Sequence, residues 1–173
     1  MKSQKILVVY YTSTGNTRRV AEVVAERLTA DLEEIRPKDK VEVDIKGKGL
    51  RNFLNMGRVV FGGKAKRAVE LESPIHDPAD YDLVVIGTPV YANTLPAEPR
   101  MYLVEQRDRF KTVAFFCTGE APDNSHVFDL MREACGLSPK AIQPFHAPEI
   151  RAQAFLPDVD NLVDNLNAGW RAP

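Results

Sequence analysis

The sequence has only two cysteines, Cys117 and Cys135, 18 positions apart. There is no C-x-x-C pair and no zinc-ligand spacing, so neither a disulfide framework nor a structural metal site is written into the chain. Two buried, reduced thiols is the simpler reading. The three histidines, His76, His126 and His146, are scattered. Without H-E-x-x-H or G-x-S-x-G, the usual signatures of zinc and serine hydrolases are missing. No apolar run approaches the ~18 residues of a membrane span. The run that follows Met1-Lys2-Ser3-Gln4-Lys5 is six residues long. That is too short for a signal-peptide core, and the expected location is cytoplasmic. Excess charge is absent too: 23 basic and 24 acidic residues leave a net charge of -1, which gives no basis for a nucleic-acid partner.

What is present is a chain of 173 residues, 44% apolar, enough for a single domain around one core. Ile6-Leu7-Val8-Val9-Tyr10 is a short apolar run ended by polar residues, the pattern of a strand buried on both faces. A helix follows over about Thr17–Leu28, with Val20, Ala21, Val24, Ala25 and Leu28 on its apolar side. Leu32-Glu33-Glu34-Ile35 reads as a second short strand. Asp82–Gly87 and Thr112–Cys117 read as further buried strands, ending in turns at Thr88-Pro89 and Thr118-Gly119. The helices between and after them run from near Glu98 to Arg107 and through Val127, Leu130, Met131 and Ala134 to a stop at Gly136. Ala141–Phe145 is a weaker strand, whose Pro144 suggests a sheet edge. Val159, Leu162, Val163 and Leu166 line a last helix begun near Asp158. This alternation implies an α/β fold: a doubly wound, five-stranded parallel sheet with helices on both faces. The stretch from Arg36 to Tyr81 is too long for a simple connection. Leu50, Phe53, Leu54, Gly57, Val60 and Phe61 predict one helix within it.

In an open parallel sheet, ligands bind beyond the carboxyl ends of the strands. Three such ends carry unusual loops, at residues 12–17, 88–93 and 117–124. The first, Thr12-Ser13-Thr14-Gly15-Asn16-Thr17, puts four hydroxyls and a glycine into six residues. Its hydroxyls, its backbone N–H groups and the helix N-terminus can all serve a phosphate. It lacks both G-x-x-x-x-G-K-[ST] and G-x-G-x-x-G, which argues against Walker and dinucleotide sites. The plainer alternative is a helix N-cap.

These residues resemble the flavodoxin family, whose phosphate loop reads roughly [ST]-x-T-G-x-T after the first strand. Gly87-Thr88-Pro89-Val90-Tyr91-Ala92 falls where the family's first flavin-ring loop leaves its third strand, and Cys117-Thr118-Gly119-Glu120 where its second ring loop leaves the fourth. The resemblance covers nearly the whole chain and is weakest over 36–81. It implies a single flavodoxin-like domain over 1–173, with a basic helical insertion or extended connection at about 36–81. It also implies non-covalently bound FMN. Phosphate would sit on Thr12, Ser13, Thr14, Asn16 and Thr17 with the Gly15 amide. Tyr91 would offer its ring to one flavin face, where the plainer reading is a half-buried loop tyrosine. Backbone groups of Thr88, Pro89, Val90, Tyr91, Ala92, Asn93, Cys117, Thr118 and Gly119 would read the ring's polar edge. Cys117 would be a small neighbour of the flavin, not a nucleophile.

Two departures stand out. The loop Thr118–Asn124 has no second aromatic, which leaves one flavin face open to another planar molecule. Where family members often carry glycine near the flavin N5, this chain has Ala92-Asn93, and asparagine tolerates left-handed backbone. The resemblance favours electron transfer by bound FMN, with a redox partner protein as donor or acceptor. The open face favours an NAD(P)H-dependent FMN reductase acting on quinones or similar acceptors. A flavodoxin-like binding module without turnover is the third reading. No side chain is assigned as catalytic and none as a metal ligand.

The charge balance conceals structure. Residues 36–67 carry ten basic and three acidic groups, whereas residues 68–173 carry eight and sixteen. A basic segment of that kind could steer NADPH or an acidic partner toward the flavin, or form only a solvated face. Within the whole connection from Arg36 to Tyr81, Phe53, Phe61 and Tyr81 are the candidates for covering the ring.

Overall fold

A computed structural model describes residues 4–38, 69–121 and 123–168. The expected helix over 50–61, with Phe53 and Phe61, and most of the basic segment lie outside the described residues.

Five parallel strands form one sheet: β1 (Ile6–Tyr10), β2 (Asp31–Glu34), β3 (Leu83–Pro89), β4 (Val113–Gly119) and β5 (Ile142–His146). Their order is β2-β1-β3-β4-β5, the order known for flavodoxin-like sheets. The chain steps from β1 outward to β2, then back past β1 to β3. The crevice where direction reverses therefore lies between the carboxyl ends of β1 and β3. Pro144 does sit on an edge strand, where its missing N–H costs no central ladder bond.

Strand periodicity divides the core. Leu7, Val9, Val84, Ile86, Val113, Phe115 and Cys117 face one side. Val8, Tyr10, Leu83, Val85, Ala114, Phe116 and Phe145 face the other. The first side is covered by α2 (Ala97–Gln106) and α3 (His126–Cys135), through Tyr102, Leu103, Phe128 and Met131. The second is covered by α1 (Asn16–Leu28), α4 (Ala147–Arg151) and α5 (Leu156–Ala168), through Val20, Val24, Ile150, Val159 and Leu162. Each buried side chain of this size contributes about 1.5–3 kcal/mol, and central strands covered on both sides hold their carboxyl ends rigid.

Three details differ from expectation. β3 and β4 each run two residues further, with Thr88 opposite Cys117 and Pro89 opposite Thr118. The Val90 N–H bonds to the Thr118 carbonyl at 2.9 Å, so alternation turns the N–H side of Pro89 toward β1. There β1 has already ended at Tyr10, opposite Gly87, and proline loses nothing. Second, the short helix α4 carries no legible period in its five residues. Third, Tyr81 lies at the amino end of β3, its hydroxyl donating to Asp31 at 2.7 Å and meeting His76 Nδ1 at 2.8 Å. It is therefore at the wrong end of the sheet to cover a flavin, because the residue precedes its strand rather than following it.

Candidate functional site

The first loop leaves β1 and enters α1 through Gly15, which has φ 92° and serves as N-cap. No side chain caps the helix and its first turn carries no acid. The plain capping role is thus not the one these hydroxyls perform. Thr12 Oγ1 instead accepts from the Gly15 N–H at 3.1 Å, which shapes the turn. Ser13 and Thr14 are exposed, and Gly15 and Asn16 are half-buried. Thr17 turns inward, 1% exposed, and its hydroxyl is hydrogen-bonded to that of Thr118 at 2.8 Å. The helix N-terminus, with free amides and a favourable dipole, faces the loop. Arg18, in the first turn, is directed away: its guanidinium meets Tyr10 Oη at 3.3 Å and the Glu34 carboxylate at 2.9 and 3.1 Å.

The second loop begins inside β3. Thr88 is fully buried, and its hydroxyl donates to the Pro89 carbonyl at 2.9 Å. Pro89 is buried and Val90 half-buried. Tyr91 and Thr94 exchange backbone hydrogen bonds, N to O at 3.2 and 2.8 Å. Between them Ala92 has φ 43° and Asn93 φ 65°, the two positive φ values of a type I′ turn. Asparagine is at home there, whereas alanine carries strain. The Tyr91 hydroxyl reaches back to Ser13 Oγ, bringing the expected ring-stacking tyrosine against the expected phosphate loop. Burial, with Glu98 nearby, pushes the Tyr91 phenol up to about 12. Tyr11 is pushed up as well, by burial and by the nearby Glu98 carboxylate. Both phenols keep their protons at neutral pH and remain donors.

The third loop follows β4. Cys117 is fully buried and faces the α2–α3 side of the core, and burial pushes its thiol up to about 12. Both cysteines are free. Gly119 lies flat against Asn124, so close that a Cβ would meet the amide group at 2.6–2.8 Å. Asn124 is 3% exposed and donates to the Ala121 carbonyl at 2.7 Å. The loop is pinned from β5 and α4: His146 Nε2 donates to the Glu120 carbonyl at 3.1 Å, and Arg151 holds the Glu120 carboxylate at 2.6 and 3.1 Å. That ion pair holds Glu120 below the usual carboxylate range.

All three loops thus meet, and side chains tie them pairwise. Ser13–Tyr91 joins the first to the second, His126 Nε2 to the Asn93 carbonyl joins the start of α3, just after the third loop, to the second, and Thr17–Thr118 joins the first to β4. Tyr11, Glu98, Asn124 and His126 were missed from sequence. Only Asn124 and His126 carried a signal, their place between a buried strand and a helix. Two hollows lie elsewhere. One of about 190 Å³ lies between β2 and residues 71–75; the other, of about 480 Å³, lies among Lys5, Asp31, Asp80, Asp82 and Lys111 at the opposite end of the sheet. Neither gathers the groups that the three loops do. Among the described residues there is no cluster able to hold a metal ion and no helix long and apolar enough to cross a membrane.

The family described as Flavodoxin matches residues 5–145. No curated protein matches the sequence. A flavoprotein from Lactobacillus acidophilus, solved in complex with FMN, is 20% identical with a TM-score of 0.65, over 86% of this chain and 97% of its own. A flavodoxin, WrbA-like protein from Agrobacterium tumefaciens is 15% identical, with a TM-score of 0.50 over 95% and 99% of the two chains. An NADH:FMN oxidoreductase in its apo form is 13% identical, with a TM-score of 0.55 over 98% and 91%. At these identities the likeness is one of fold.

Proposed function

The chain belongs to the flavodoxin family, and on that premise we propose that it binds FMN non-covalently across the three loops and serves electron transfer. The observation that carries this reading is the uncapped start of α1 behind Gly15. Its free amides and the surrounding hydroxyls fit a phosphate dianion, and among the described residues no side chain caps them. When bound, FMN supplies the redox chemistry. Ser13, Thr14, Asn16 and the amides of the first turn of α1 hold the phosphate, while the Gly15 N–H is taken by Thr12, which shapes the turn, and Thr17 fixes the loop to β4. Tyr91 lends its ring to the flavin, and the backbone of 88–93 and 117–119 reads the ring's polar edge. The buried strand ends hold these groups still and exclude water beneath the ring.

The absence of an aromatic between Thr118 and Asn124 favours a second reading, an NAD(P)H-dependent reductase of quinones or similar acceptors. Anaerobic mixing of the FMN-loaded protein with NADPH separates the two. Rapid reduction with turnover on a quinone establishes the reductase, and inertness toward pyridine nucleotides leaves the carrier, which needs a redox partner protein. The shared premise is tested first. Thr14→Ala, at an exposed position, is expected to leave stability unchanged and to weaken FMN binding by about 1 kcal/mol, read from quenching of flavin fluorescence. Protein that does not bind added FMN would remove both readings.

A further inference from the structure

We propose that His126 is a positioning residue for the flavin site, fastening the strained turn 91–94 to the start of α3, just after the third loop; this rests on the FMN reading above. The Asn93 carbonyl can only accept, so the His126 nitrogen that meets it, Nε2, carries a proton and donates. At one end of this bond is a turn that needs holding. Ala92 and Asn93 are consecutive left-handed residues, neither of them glycine, and both are exposed. Strain of this kind persists only where surrounding structure over-determines it. Inside the turn there are the two backbone bonds between Tyr91 and Thr94. From outside, among the described residues, His126 supplies the side-chain bond to residues 92–93.

At the other end is a platform that does not move easily. His126 opens α3, and the next two residues, Val127 and Phe128, are 0% and 1% exposed. The Val127 N–H bonds to the Asn124 carbonyl at 3.1 Å, and Asn124 is itself buried against Gly119. The tie therefore runs from a packed helix start to an exposed, strained turn. It joins the second loop to the helix that follows the third, and the backbone of both loops is proposed to read the flavin edge. Its consequence is to set their spacing before the ring arrives, which lowers the ordering cost of binding.

The test compares His126→Gln, whose amide nitrogen reaches the place of Nε2, with His126→Leu, which has no donor. In the apoprotein, hydrogen exchange of the Thr94 amide reads the turn directly. It is expected to accelerate at least tenfold in His126→Leu and to stay near wild type in His126→Gln. FMN affinity is expected to fall at least tenfold in His126→Leu and to stay within threefold in His126→Gln, while binding of inorganic phosphate alone is unchanged in both. Equal loss in the two variants would overturn the donor role. Faster Thr94 exchange with unchanged FMN affinity would overturn the positioning role, and no change in either would overturn the tie itself. If wild type fails to bind FMN, the FMN reading fails and the positioning role with it, while Thr94 exchange still reports whether the tie exists. Should His126→Leu not fold, His126→Asn, whose amide stops short of Asn93, takes its place.

Discussion

Replacing Gly15 by alanine asks whether the first loop depends on left-handed backbone. Gly15 has φ 92° and ψ -10°, and a Cβ added there meets no atom within 4 Å. The cost therefore contains no overpacking. It is the cost of holding an L-residue in a left-handed conformation, roughly 1–2 kcal/mol. With a urea slope of about 2 kcal/mol per molar, the apoprotein midpoint should fall by about 0.5–1 M. Gly15→Asn should fall less, since asparagine tolerates this region. Saturating FMN adds a second reading. At a hundredfold excess over its Kd, a ligand stabilises the native state by about 2.7 kcal/mol. If the geometry at Gly15 belongs to the phosphate site, the alanine variant gains less than wild type from the same FMN. An unchanged apoprotein midpoint would refute the reasoning, because residue 15 would then have relaxed to negative φ without cost. A loss above about 4 kcal/mol would refute it too, since it requires a clash that the open space rules out.

Gly87 is the opposite case, a glycine required by space: a Cβ would run into the ring of Phe116. Gly87→Ala should cost about 1–3 kcal/mol in urea unfolding, and Phe116→Leu in the same chain should recover part of it; strictly additive losses would contradict the contact. Thr17→Val strands the buried Thr118 hydroxyl and should cost about 1–3 kcal/mol, whereas Thr17→Val with Thr118→Val should cost less than the two single changes together. A double-mutant cycle with no coupling would break that pairing. Burial raises the Cys117 thiol from 9.0 to about 12, so the folded state holds its proton where the unfolded state releases it. Stability should therefore fall as pH rises from about 9 toward 12, by at most ~1.4 kcal/mol per pH unit, and less so in Cys117→Ala. Rapid labelling of Cys117 by a thiol reagent in the folded protein at pH 8 would contradict this burial.

Much of the molecule was legible in the chain because its signals are local. The runs Ile6–Tyr10, Leu83–Ile86 and Val113–Cys117 are unbroken apolar stretches, and only a strand covered on both faces demands that pattern. The helical spacing of Val20, Ala21 and Val24 depends on one period, and Gly136 marks the stop of α3 by its own backbone freedom, φ 74°. The proline in β5 announced an edge because a missing N–H is a property of one residue. The first loop was legible for the same reason: its hydroxyls, its glycine and its helix are contiguous.

What sequence alone determined, then, is the run of elements, the parallel sheet they imply and the composition of the phosphate loop, all set by residues within a few positions of one another. Tertiary structure decided how far the strands run and what the loops do together. β3 could extend through Pro89 only because β1 stops at Tyr10 beside it. Four Ser/Thr within six residues looked like equivalent phosphate donors, yet Thr17 is committed to Thr118, 101 positions away, and Ser13 also meets Tyr91, 78 away. The tie between His126 and Asn93 spans 33 positions and follows no period. Hydrogen bonds between distant loops are fixed by where the sheet places its carboxyl ends, and no pattern along the chain encodes that distance.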